Sequence, residues 1–188
     1  QALTGTLFQI VAHATSTGVL FLLLGIIEER SDTRNIDDFG GLASRAPVFA
    51  LFFAVAMLAS VGLPGTSGFI GEFLIILGAV KFNPLIAVLA GTTLIIGVCY
   101  MLWLFQRVFF EKPNSKLAGF ADLTAIETLT ILPIVILIVV MGIYPQPFLA
   151  KIEPSAERQL ALIEQVQQVA EFRLEVTNPG QELKTGDL

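Results

Sequence analysis

The stretch 63-LPGTSGFIGEF-73 lies inside one of the most apolar parts of a 188-residue chain. PVFALFFAVAMLASVG runs up to it, and LIILGAV follows it. Residues 47–80 are too many for one crossing of a bilayer. As a straight helix they would reach on the order of 50 Å, against a hydrocarbon core of about 30 Å. LPGTSG reads as an interruption. Pro64 lacks a donor and clashes with the preceding turn, and Gly62, Gly65 and Gly68 allow backbone angles that other residues resist. Thr66 and Ser67 offer hydroxyls to backbone groups freed by the break. The motif therefore predicts a helix broken at 62–68, with Pro64, Gly65 and Gly68 making the break. Unwound backbone at membrane depth persists only against protein or a water-filled cavity, and such breaks mark ion paths in transporters.

Outward from the motif, the chain is 54% hydrophobic and only 14% charged, with a mean hydropathy of +0.77. A soluble domain would be near 25% charged. Charges crowd into 28–45, 107–127 and the tail after 151, leaving long uncharged runs between them. That pattern predicts an all-α integral membrane fold with spans at about 6–27, 47–80 (the broken one), 85–106 and 125–144. Pro133 is expected to kink the last span. The region 151–188 is read as an amphipathic helix, from Pro154 to Glu175, followed by a disordered tail, TNPGQELKTGDL.

Net charge is −5, with no basic surface for nucleic acid. The single Cys99 excludes an internal disulfide or a cysteine-rich metal site. The chain opens at Gln1 without a signal-like segment, and it is expected to be a piece of something longer. Lys and Arg are concentrated in loops 28–46 and 107–124, which places those loops on the cytoplasmic or an equivalent side.

Glu72 falls one turn beyond the break. A carboxylate in a bilayer usually faces a wet interior and takes part in a pathway; the alternative is an acid that only caps or pairs within the bundle. His13, the chain's one histidine, sits near the middle of the first span, followed by Thr15, Ser16 and Thr17. Histidine changes charge near neutral pH, so His13, Thr15 and Ser16 join Glu72, Thr66 and Ser67 as candidate proton-pathway residues, with Gln9 one turn away and able to orient the ring. A hydrogen-bonded packing histidine is the other reading. Without a second histidine or HxxxH spacing, no metal site is expected. Arg107 and Lys81 at span ends are explained by snorkelling, and Asp32, Arg34, Asp37 and Asp38 by a solvated loop.

QIVAHATSTGVLFLLLG, ERSDTRNIDDFGGL, ASVGLPGTSGFIGEFLIILG, YMLWLFQRVFF and GIYPQPFL, in that order over about residues 5–150, resemble the membrane subunit M family (mitochondrial subunit 4) of respiratory complex I. The resemblance implies a fourteen-helix antiporter-like subunit of which this chain would be the last four helices. It maps Glu72 to the ionisable residue of the terminal half-channel and His13 to the central hydrophilic axis. It implies a proton-translocating subunit that binds no cofactor itself, with NADH, FMN, iron–sulfur clusters and quinone elsewhere in the complex. Implied partners are neighbouring antiporter-like membrane subunits and the lipid bilayer, in a bacterial inner membrane or an organelle inner membrane. The family's upstream glutamate–lysine pair and central lysine have no counterpart here, so the piece alone is not expected to pump. Multisubunit sodium/proton antiporters and membrane-bound hydrogenase complexes share these helices and remain alternative settings.

Overall fold

The computed structural model describes residues 1–114, 117 and 119–177. Its elements are α1 (Ala2–Ser31), a 3-10 turn (Ile36–Asp38), α2 (Leu42–Arg45), α3 (Pro47–Ser60), α4 (Ser67–Phe82), α5 (Pro84–Phe110), α6 (Ala125–Ile143) and α7 (Gln146–Thr177). The fold is an all-α membrane bundle. Three helices, α1, α5 and α6, are long and apolar enough to cross a membrane unaided. At 14 and 16 residues, α3 and α4 are about 21 and 24 Å long by the helical rise, and neither matches the core thickness alone. They follow one another along α1, which packs against both.

The interruption has a plain backbone account. Gly62 N–H donates to Ala59 O and Leu63 N–H to Leu58 O at 3.3 and 2.9 Å, with Gly62 at φ +70°. That is the Schellman closure of a helix on a left-handed residue. Leu63-Pro64-Gly65-Thr66 then forms a turn closed by Thr66 N–H to Leu63 O at 3.1 Å. Proline sits at its second position, and Gly65, at φ +94°, at its third, as a type II turn demands. The break thus covers Val61 to Thr66, and Ser67 and Gly68 already belong to α4. Gly68 was expected to supply backbone freedom; it is needed for close approach instead. A Cβ there would lie 2.0 Å from Ala59 O. α6 closes over the same turn, since a Cβ on Gly142 would meet Gly65 O and Thr66 Cα at 2.4 Å.

Helix contacts are made through small residues, as membrane bundles require where no water drives association. α4 lies on α1 so closely that Cβ atoms on Gly5, Gly71 and Gly78 would come within 2.6 Å of Leu74, Gln9 and Ala2 respectively. The larger core gathers Val19, Leu23, Phe49, Phe53, Phe109 and Ile138, with the Phe53 and Phe109 rings 4.9 Å apart and Phe120 edge-on to Phe49 at 5.9 Å. A second cluster, Phe8, Ala12 and Met141, receives Phe148, Leu149 and Ile152 from α7. That seat explains why α7 starts at Gln146 and runs through Pro154, ahead of the expected start. After Ala156 its described side chains are exposed, and the predicted disordered tail lies outside the described residues. α5 is the least covered span, with Leu85, Val88, Ile95 and Ile96 all exposed.

The loop carrying Asp32, Arg34, Asp37 and Asp38 is solvated, as composition suggested, with the first three exposed, but polar side chains beside it tie the helix ends together. Arg30 grips both carboxylate oxygens of Glu127 at 2.6 Å and donates to Ala121 O at 2.8 Å. Glu127 also closes a capping box with Thr124 at the start of α6. Asp122 accepts from the Val48 and Phe49 N–H groups, both at 2.9 Å. It thereby caps α3, whose own N-cap residue Ala46 cannot. Arg107, expected to snorkel, pairs with Asp37. Arg34 pairs with Glu28 at 2.7 Å, and that hydrogen bond raises the pKa of its guanidinium. One end of α1, α3 and α6 is therefore tied in a single polar knot. Arg30→Ala is expected to cost about 2–3 kcal/mol, because it strands a partly buried carboxylate. The lowered heat-inactivation midpoint of the assembled protein measures it; an unchanged midpoint would show that solvent compensates.

Candidate functional site

Glu72 points back from α4 onto the break. A Cβ on Gly62 would lie 2.1 Å from its Oε2, so the carboxyl occupies the space that the glycine leaves open. Gln9 of α1 donates from Nε2 to Glu72 Oε1 at 3.2 Å. Gln9 in turn sits against Gly71, where a Cβ would be 2.3 Å from its Oε1. Two glycines and two polar side chains thus interlock at one level of the bundle. Glu72 is half-buried, in contact with both protein and open volume.

That volume is a cavity of about 290 Å³ between α1, the break and α5. Its polar lining is His13, Thr17, Ser60, Glu72, Thr93 and Tyr100. His13 and Glu72 therefore face one space, large enough for several waters at about 30 Å³ each. His13 is exposed and lines this cavity. Gln9 was expected to orient its ring, but the Gln9 amide is bonded to Glu72.

The other sequence candidates divide. Thr15 and Ser16 do not line the cavity; their hydroxyls donate to Ala12 O at 2.8 Å and His13 O at 3.2 Å within α1. Thr17 also bonds its own helix, at His13 O, yet lines the cavity. Thr66 is buried and donates to Leu63 O at 2.7 Å, fastening the turn. Ser67 is wholly buried, and its Oγ has no partner among the described residues. Ser60, Thr93 and Tyr100 are additions that the sequence reading did not single out for the site. Thr93 bonds Ala90 O at 2.7 Å in its own helix, and Tyr100 is exposed on α5. Only their alignment across helices brings them to Glu72. A larger cavity of about 460 Å³, toward the loop end, is walled mostly by Phe21, Leu24, Phe53, Leu104 and Val108, and holds no acid besides Glu28 at its rim. Among the described residues no three His, Cys, Asp or Glu side chains gather as a metal site would require.

The site is thus a titratable acid on a helix break, opening into a shared polar cavity. Residues 1–97 match the family model for the transmembrane region of NADH:quinone oxidoreductases and Mrp antiporters. The chain belongs to that family. Within this antiporter-like family, NADH-quinone oxidoreductase subunit M of Rickettsia bellii is 43% identical over 161 residues, covering 85% of this chain and 33% of the relative. NADH-ubiquinone oxidoreductase chain 4 of Marchantia polymorpha is 42% identical over 151 residues, covering 79% and 30%. Among solved structures, a chain of respiratory complex I from Thermus thermophilus with bound NADH superposes with a TM-score of 0.77 at 41% identity. That match covers 82% of this chain and 32% of the solved one. The chain thus spans about a third of the length of the curated relatives it matches.

Proposed function

We propose that this chain is the C-terminal part of a proton-translocating membrane subunit of NADH:quinone oxidoreductase, of the subunit M or chain 4 type. The observation that carries the reading is the Glu72 carboxyl, lodged at a glycine-lined helix break and sharing a cavity of about 290 Å³ with His13. Glu72 holds and releases the proton. Gln9 fixes the carboxyl's position. His13, Tyr100, Thr93 and Ser60 supply polar stations for a water chain leading from it. Oxidation of NADH through flavin and iron–sulfur groups, and reduction of quinone, belong to other subunits; one cysteine and one histidine in this chain could not ligate such clusters. The partners are neighbouring membrane subunits and lipid, in a bacterial inner membrane or the inner membrane of an organelle. In this reading the Arg30 knot lies on the cytoplasmic or matrix side, which the clustering of Arg and Lys in the two polar loops supports.

The matched family also includes Mrp antiporters, so a sodium/proton antiporter setting is the second reading. Mass spectrometry of the intact purified assembly separates the two: a flavin and iron–sulfur arm is expected, and its absence would favour antiport. Within the complex, His13→Ala is expected to lower proton pumping more than quinone reduction, measured as vesicle acidification against quinol formation. A parallel loss of assembled complex would assign His13 to packing instead.

A further inference from the structure

We propose that Gln9 is a positioning residue that serves both protonation states of Glu72, an inference that rests on the pathway reading of Glu72. The amide is tied to the carboxyl by one bond, Nε2–H to Oε1 at 3.2 Å. Its other end is buried and idle: Gln9 Oε1 has no partner among the described residues. Each group rests against a glycine of the facing segment. A Cβ on Gly71 would stand 2.3 Å from Gln9 Oε1 and 2.8 Å from its Cβ, while one on Gly62 would stand 2.1 Å from Glu72 Oε2. Two backbones that approach so closely hold the amide and the acid face to face.

The chemistry of the pair follows from what each end offers. An ionised carboxylate only accepts hydrogen bonds, and a protonated one must also donate from its O–H. A glutamine amide presents a donor and an acceptor of nearly identical shape. With Glu72 ionised, Nε2 faces it, as in this structure. When Glu72 takes up a proton, rotation of the amide about its terminal torsion presents Oε1 to the new O–H, and the idle oxygen finds its donor. Neither an apolar residue at position 9, which offers nothing, nor a lysine, which only donates, could satisfy both states. His13 and Tyr100, the other titratable groups on the cavity, make no hydrogen bond to Glu72.

The test uses the intact complex with its full-length subunit and reads the infrared C=O stretch of protonated Glu72, assigned by its loss in Glu72→Gln. Gln9→Met keeps the length and removes the amide. It is expected to move that band to higher wavenumber, as for a carboxyl without an acceptor, and to lower coupled quinone reduction severalfold. Gln9→Asn keeps an amide one methylene shorter, and is expected to give an intermediate shift even if Gln9→Met assembles poorly. A Glu72 band at the wild-type position in either variant overturns the role of Gln9 and leaves the pathway reading standing. A Glu72→Gln complex that pumps like wild type overturns the pathway reading, and this one with it.

Discussion

Glu72→Gln is expected to lower quinone reduction by the assembled complex about tenfold or more, the factor that about 1.4 kcal/mol of added barrier produces. The substitution keeps size and hydrogen-bonding capacity, so the contacts with Gly62 and Gln9 survive and assembly is expected to be normal. What it removes is the proton. A group that must alternate between acid and carboxylate cannot be replaced by an amide that does neither. Glu72→Asp keeps the acid one methylene short of its place and is expected to retain a substantial part of the rate. Steady-state quinone reductase assays on membranes with matched complex content make the comparison. Equal rates for wild type and Glu72→Gln would reduce Glu72 to a structural residue.

Gly62→Ala is the second large effect. At φ +70° a side chain costs roughly 1–2 kcal/mol in the left-handed region. The new Cβ would also stand 2.1 Å from Glu72 Oε2, so the carboxyl must leave its notch. A severalfold loss of coupled activity is expected, alongside a modest loss of thermal stability. Because the damage passes through Glu72, the double variant with Glu72→Gln is expected to be little worse than Glu72→Gln alone. Residues that act as one unit are not additive in this way. Fully additive losses would show that Gly62 serves only the fold. Gly65→Ala is the useful comparison: it is also at positive φ, but a Cβ there meets nothing within 4 Å. It should therefore share the backbone cost without displacing the acid.

Much of this was legible in the sequence because the signals are local. Twenty-odd uncharged residues between charge clusters announce a span by length and solvation alone. LPGTSG announces a break because proline and glycine act on their own backbone. The boundary shifted to Val61–Thr66 for a reason of the same kind: Gly62 and Gly65 carry the positive φ angles, whereas Gly68 owes its smallness to Ala59 O, a contact that backbone propensity does not encode.

What stayed hidden is what lies far apart in the chain. Gln9 and Glu72 are 63 residues apart, and Arg30 and Glu127 are 97 apart. Each of these residues has a bland local explanation, and only helix packing selects the partner. Thr15 and Ser16 mislead for the opposite reason. A hydroxyl in an apolar helix looks functional, but the nearest acceptor is the carbonyl three residues back, and that is where both are bound. Thr17 bonds its own helix too, and only its direction on α1 brings it to the cavity. Tyr100 stands in the quoted stretch YMLWLFQRVFF, but nothing there points to a polar site, and it reaches the cavity because α5 lies beside α4.

The central claim is that Glu72 carries the translocated proton, and its most direct test is proton pumping by the intact complex reconstituted into sealed vesicles. Acidification driven by quinone reduction is followed with a pH-sensitive dye in wild type, Glu72→Gln and Glu72→Asp at equal complex content. The account predicts near-absent acidification in Glu72→Gln and substantial acidification in Glu72→Asp. Acidification by Glu72→Gln at the wild-type rate would contradict it.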